Sequence, residues 1–230
     1  MHVLDNPVWH ALTGTHATVA ERAGLAARYQ PEVAVFTGLA DDTTAQAWND
    51  LAGLVGTGGT AFLARRDVKV LPTWNEQFRA PCLQMWLPDH VSDRDDADDL
   101  VAPLVRLGAR DVPQMLALVE RTRPGPFLTR TVELGTYFGI RDGDELIAMA
   151  GERLHPPGFT EISAVCTDLG YRGKGLASKL VRAVARGIRS RGETPFLHLT
   201  VENETARRVY ANLGFETRAT LAVLGLQAPG

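Results

Sequence analysis

One stretch limits the fold of this 230-residue chain more than any other: residues 160–180, TEISAVCTDLGYRGKGLASKL. Residues 160–166 are apolar and rich in β-branched side chains, and read as a strand. Residues 168–175 carry three glycines, Gly170, Gly173 and Gly175, with two cations, Arg172 and Lys174, and read as a tight loop. From there the apolar positions are Leu176, Ala177, Leu180, Val181, Val184 and Ile188. That is helical spacing, and Lys179, Arg182, Arg186 and Arg189 take the other faces.

Strand, glycine-rich loop, helix is an arrangement that can hold phosphate. The first N–H groups of a helix have no internal partner and point outward. The helix dipole adds partial positive charge at that end, and glycine allows close approach of the main chain. The same glycines would also serve a turn that needs them for geometry alone, so the loop by itself leaves both readings open. Two familiar phosphate loops are excluded. No Gly-Lys-Ser/Thr ending is present, and the spacing is not G-x-G-x-x-G.

What fits is R-x-x-G-x-G/A, here Arg172-Gly173-Lys174-Gly175-Leu176-Ala177. A second feature follows downstream in PFLHLTVENETARRVYANLGFE, where a strand (196–200) leads to Asn203, Ala206, Tyr210 and Leu213-Gly214-Phe215. Together these resemble the coenzyme A-binding signatures of the GNAT superfamily, the acyl-CoA N-acyltransferases, over about residues 100–226. One departure precedes the loop. Many family members have Asp-Pro-x-Tyr-Arg-Gly, whereas this chain has Asp168-Leu169-Gly170-Tyr171-Arg172-Gly173, which loosens the loop and leaves its donors in place.

The resemblance implies a fold and a chemistry. The fold is α/β (α+β), a mixed, mostly antiparallel central sheet flanked by helices. The reaction is transfer of an acetyl group from acetyl-CoA to a primary amine, directly in a ternary complex. The pyrophosphate falls to main-chain N–H groups of Arg172, Gly173, Lys174, Gly175, Leu176 and Ala177, with the hydroxyl of Ser178. Main chain of Val165, Cys166 and Thr167 pairs with the pantetheine arm like an extra strand, and Asn203 reaches the same arm. Main-chain N–H near Val165 or Cys166 would hold the oxyanion. Deprotonating an alkylammonium at pH 7 costs about 4–5 kcal/mol, which asks for a base. Glu161 and Glu152 are the candidates, either of which could instead be an ion-pair partner of Arg153. Tyr210 matches the family tyrosine that protonates the departing thiolate. His155 and His198 are weaker candidates for the cleft wall. Cys166 reads as a small buried residue rather than a nucleophile. A catalytically silent acyl-CoA-binding or sensory module of the same fold is the alternative.

Charge agrees with an anionic co-substrate. Residues 1–99 hold 7 Lys+Arg against 14 Asp+Glu, whereas residues 100–230 hold 17 against 13, so the half with the loop is the basic half. It is not basic enough to imply nucleic acid. Cys82 and Cys166 give no disulfide framework and no metal-ligand spacing, so no metal is expected. No apolar run approaches ~18 residues and the N-terminus lacks a signal-peptide pattern, so a soluble, cytoplasmic protein is expected without a membrane partner. A homodimer is left open.

The domains expected are an N-terminal α/β companion region at 1–88, related at most to a degenerate acyltransferase half, an acidic linker at 89–99, and a GNAT-like catalytic domain at 100–230. Within the first, helices are expected at 15–28 and 43–55 and strands at 33–36, 60–64, 68–71 and 82–87. The second is expected to hold strands at 100–107, 136–141, 145–153, 160–166, 196–201 and 215–226. Its expected helices lie at about 111–120, 127–134, 176–190 and 203–213. Asp142-Gly143 is the turn of a hairpin.

Overall fold

The computed structural model describes residues 2–91 and 103–230. In chain order these hold α1 (Pro7–Leu12), β1 (Ala20–Ala23), β2 (Ala26–Tyr29), β3 (Thr37–Leu39), α2 (Ala45–Val55), β4 (Thr60–Arg65) and β5 (Asn75–Trp86). Then come β6 (Leu104–Leu107), α3 (Val112–Thr122), β7 (Tyr137–Asp142), β8 (Glu145–Glu152), β9 (Phe159–Thr167), α4 (Leu176–Ser190), β10 (Thr194–Thr200), α5 (Glu204–Asn212) and β11 (Glu216–Gln227). β1, β2 and β3 make a small sheet; the other eight strands make one sheet in the order β4-β11-β5-β10-β9-β8-β7-β6. Every neighbouring pair in the large sheet is antiparallel except β9 and β10. This is the mixed, mostly antiparallel sheet flanked by helices that the sequence implies. Among the described residues no helix is long and apolar enough to cross a membrane.

The segment 1–88 supplies two strands of the large sheet. β5 lies between β10 and β11, paired with β11 from Trp86 to Asn75 and with β10 from Trp86 to Cys82. The acidic stretch expected as a linker lies outside the described residues from residue 92 on.

Four local expectations are corrected. Residues 33–36 are not a strand: β3 starts at Thr37, and Phe36 makes only an isolated bridge to Phe62. Residues 15–28 are not helical but form a short 3-10 turn (Ala17–Val19) and the β1–β2 hairpin. Their alanines suit a helix, yet Gly24 turns the chain at φ 49°, and Ala26, Ala27 and Tyr29 are buried, so packing overrides propensity. Residues 127–134 contain only a 3-10 turn, Thr131–Leu134. Residues 68–71 are not a strand; Val68, Val70 and Leu71 pack against the core from an irregular segment.

The two faces of the sheet are covered differently. On one, α4 buries Leu180, Val181, Val184 and Ile188 against Ala148, Ala150, Ile162, Leu197, Leu199 and Met85, with Tyr210 and Phe215 of the α5 region. Each such side chain contributes roughly 1.5–3 kcal/mol, which is why the apolar stripe read from sequence sits inward. The other face is covered by the turn Val3–Asp5 and α1, through Leu4, Val8 and Leu12, and by α3, through Met115 and Leu118. Trp48 of α2 and Trp74, with ring centroids 5.3 Å apart, are core residues.

Candidate active site

The loop that follows β9 is built to present main-chain donors. Gly173 and Gly175 both sit at φ 76°, a conformation in which a Cβ is strained. Gly175 is the N-cap of α4 and no side chain caps the helix, so Leu176, Ala177 and Ser178 keep N–H groups without intrahelical acceptors. The loop is pinned from outside. Arg121 on α3 donates to Asp168 at 2.8 Å, and this bond holds the Asp168 carboxyl below its ordinary pKa. Tyr171 donates to Asp142 at 2.5 Å, which raises the Tyr171 phenol. Arg172 donates to the carbonyl of Thr167 at 3.3 Å, and Lys174 lies 4.8 Å from the Tyr171 ring centroid.

Beside this loop the sheet opens. β9 and β10 pair only through Thr194 with Phe159, Pro195 with Thr160 and Phe196 with Glu161. Past that point β9 stays with β8 and β10 stays with β5, so the two strands part and present bare edges to each other. The divergence has a local cause. Ser163 pairs with Gly151 and Cys166 with Met149, so β9 carries one residue too many, and Ala164 takes φ 52°. A bulge with a non-glycine residue at positive φ bends the strand and stores strain. Val165, Cys166 and Thr167 follow it along the gap, and the Thr167 hydroxyl is buried with no partner.

Tyr210 stands on the α4/α5 side of the gap, 8% exposed. Burial, with Cys166 beside it, pushes its phenol up to about 12. Asn203 caps α5, its side-chain oxygen accepting from Ala206 N–H at 3.0 Å. Burial pushes the Cys166 thiol up to about 11, which keeps it a thiol.

The two glutamates have different partners. Glu152 accepts from Arg191 at 2.9 Å and from the main chain of Thr136 at 3.2 Å. Glu152 pairs in register with Ile162, the residue after Glu161, and its carboxylate is taken up by Arg191, the C-cap of α4. Glu161 lies at the apex of the gap, fully buried. Arg153 grips it with two hydrogen bonds of 2.8 and 2.7 Å, and His198 bonds it at 2.7 Å. Burial works to raise this carboxyl, but Arg153 and His198 outweigh it and hold it down at about 2. The polar chain continues across neighbouring strands. Gln84 on β5 lies 3.0 Å from His198 and donates to the Leu4 carbonyl at 2.9 Å. Arg218 on β11 donates to Gln84 and to Asp5, both at 2.7 Å.

Reading the sequence alone gave His198 little weight and passed over Gln84 and Arg218. The available signal was a single polar residue at an inward position of an apolar strand, as in FLHLT, CLQMW and TEISAV.

Comparison with known proteins identifies the family. The FR47-like protein family matches residues 137–223, from β7 into β11. A GNAT-family protein from Novosphingobium aromaticivorans, described as a candidate acetyltransferase, is 36% identical in sequence. Its crystal structure covers all of both chains with a TM-score of 0.87. The chain therefore belongs to the GNAT superfamily of acyltransferases. Two curated relatives match shorter stretches. N-alpha-acetyltransferase RimI of Mycobacterium tuberculosis is 31% identical over 83 residues, and mycothiol acetyltransferase of Corynebacterium glutamicum is 33% identical over 75. Those matches span 35% and 32% of this chain, and about half and about a quarter of the relatives' own lengths.

Proposed function

We propose that this protein moves an acetyl group from acetyl-CoA to a primary amine by direct transfer in a ternary complex. The observation that carries the reading is the gap between β9 and β10, opening next to an uncapped helix N-terminus with two glycines at positive φ. The pyrophosphate is held by the N–H groups of residues 172–177 and Ser178, and the pantetheine arm runs along Val165, Cys166 and Thr167, where the Thr167 hydroxyl lacks a partner. The thioester reaches the gap, the N–H groups after the bulge face its carbonyl oxygen, Asn203 reaches the pantetheine arm, and Tyr210 flanks the sulfur. Tyr210, kept protonated by burial, gives its proton to the leaving thiolate. The names of both curated relatives support an acetyl donor. They differ in acceptor, so the class here stays at a primary amine, on a small molecule or a peptide terminus.

The second reading, a silent acyl-CoA-binding module, draws its support from the ion pairing of Glu161. Calorimetric titration of acetyl-CoA followed by an amine screen separates the two. Wild type is expected to bind at micromolar concentration and to turn over. Gly175→Asp, which sets a carboxylate where phosphate lies, is expected to lose binding, and Tyr210→Phe to keep binding and slow transfer at least about tenfold. Binding without turnover for any amine supports the silent module, and no binding by wild type removes both readings.

A further inference from the structure

We propose that His198, not a carboxylate, takes the proton from the acceptor amine, and that Glu161 serves by positioning it. The proposal rests on the acetyl-transfer reading above and names the proton acceptor at the same site.

In the acetyl-transfer reading the donor takes the face of the loop, which leaves the opposite face to the acceptor. The loop, α4 and Tyr210 occupy one face. Glu161, His198 and Gln84 lie on the other, at the apex of the gap that joins the two. A base for the acceptor belongs on that second face. The carboxylate there is sealed. Glu161 has no exposed side-chain surface, whereas the Arg153 and His198 that flank it keep 13% and 10%. Arg153 has no lone pair to offer. Burial lifts the Cys82 thiol to about 11, and it donates to the Leu199 carbonyl at 3.2 Å. Of the groups facing the apex, His198 alone combines exposure with a basic nitrogen.

The hydrogen bonds fix which nitrogen that is. Arg218 can only donate, so the Gln84 atom it touches is the amide oxygen. The other end of that amide is therefore NH2, with one hydrogen to the Leu4 carbonyl and the second to His198 Nε2. His198 Nε2 must accept, so the ring carries its proton on Nδ1 and donates it to Glu161. Glu161 of β9 and Gln84 of β5, the latter fixed by Arg218 of β11 and the Leu4 carbonyl, thus hold an imidazole with its proton on Nδ1 and its lone pair at Nε2, the arrangement a general base needs with a third group orienting it. An incoming ammonium takes the place of one Gln84 hydrogen bond at Nε2.

The protons and electrons balance as follows. The acceptor ammonium gives one proton to His198 Nε2, and the Glu161 carboxylate stabilises the imidazolium through Nδ1–H. The amine lone pair forms the C–N bond while the carbonyl π pair moves to oxygen. Collapse breaks the C–S bond, and the thiolate takes the Tyr210 proton. The second amine proton returns to Tyr210 through water, and His198 releases its own to solvent, so each turnover frees one proton.

The test uses two small nucleophiles with acetyl-CoA: ethanolamine, an ammonium at neutral pH, and hydroxylamine, which is already unprotonated. His198→Ala and His198→Gln are expected to keep acetyl-CoA binding and to slow transfer to ethanolamine about 100-fold. Transfer to hydroxylamine should stay within about threefold, and added imidazole should restore the ethanolamine rate of the alanine variant. A purely structural role would slow both nucleophiles equally and resist imidazole. Equal loss, no loss, or a wild type that binds acetyl-CoA yet acetylates neither nucleophile overturns the proposal. Failure of wild type to bind acetyl-CoA instead overturns the acetyl-transfer reading itself. Long-range nitrogen–proton NMR on wild type checks the tautomer without any acceptor, and a proton found on Nε2 at neutral pH overturns the assignment.

Discussion

The two faces of the sheet at the β9–β10 gap solve opposite problems with opposite materials. The α4/α5 face at the gap is mostly apolar where it is buried, with Tyr210 as its proton donor, and it meets phosphate with main chain, an uncapped helix end beside two glycines. The face under the N-terminal segment buries a chain of charged and amide groups from Arg153 through Glu161, His198 and Gln84 to Arg218 and Asp5. Backbone donors need only a local sequence to place them. Side chains that must meet across β8, β9, β10, β5 and β11 need the whole fold. The phosphate end is therefore a motif, and the proton end is a tertiary construction.

If this contrast is right, the two faces should break by similar amounts and be repaired differently. Arg153→Ala leaves Glu161 buried without its main partner, and removing one member of a buried pair costs about 3–5 kcal/mol. Leu180→Ala on the apolar face removes a fully buried side chain, for about 2–5 kcal/mol. The two differ in what repairs them. A volume-filling Arg153→Met paired with Glu161→Leu is expected to recover most of the stability in denaturant unfolding, because the loss is unpaired charge rather than volume. Failure of the paired variant to recover would mean the chain is held for packing, and the contrast between faces would fall.

Acid should dissect the faces next. Glu161 sits at about 2 in the folded chain against an ordinary 4.5, so the unfolded chain binds its proton first. Its contribution to stability is present above pH 4.5 and is lost as pH falls toward 2, an effect of about 3 kcal/mol. Unfolding followed between pH 6 and 2 should show this loss in wild type and a flatter curve in the Arg153→Met, Glu161→Leu variant. Equal slopes would place the acid sensitivity elsewhere.

The same contrast explains what could be read from the chain. The loop, α4, the β7–β8 hairpin and the α5 region were legible because each is a contiguous pattern of glycine, turn dipeptide or helical period. Glu161 was legible by its place on β9, but its state was not. Arg153, His198 and Gln84 come from just past β8, from β10 and from β5, and β5 arrives from residues 75–86, far from β9 and β10 in sequence. Residues 15–28 were misread as helix because alanine propensity speaks locally, while the hairpin is set by Gly24 and by what Tyr29 packs against. The break between β9 and β10 depends on a one-residue bulge at Ala164, and alanine carries no mark of positive φ.

The smallest expected effect concerns the loop itself and asks whether main chain or side-chain charge holds the phosphate. Lys174 lies over Tyr171, exposed and able to meet the pyrophosphate only through solvent-screened charge. If the uncapped helix end does most of the holding, Lys174→Ala should weaken acetyl-CoA binding only about three- to fivefold at low salt. The difference should vanish near 1 M salt, where the screening length falls to ~3 Å. Gly175→Asp, by contrast, should abolish binding at both salt concentrations, since it obstructs the donors sterically as well as by charge. Calorimetry of both variants at the two salt concentrations reads this directly. A salt-independent loss on removing Lys174 would show that its stacking on Tyr171 shapes the loop, which moves a side chain into a role assigned here to the backbone.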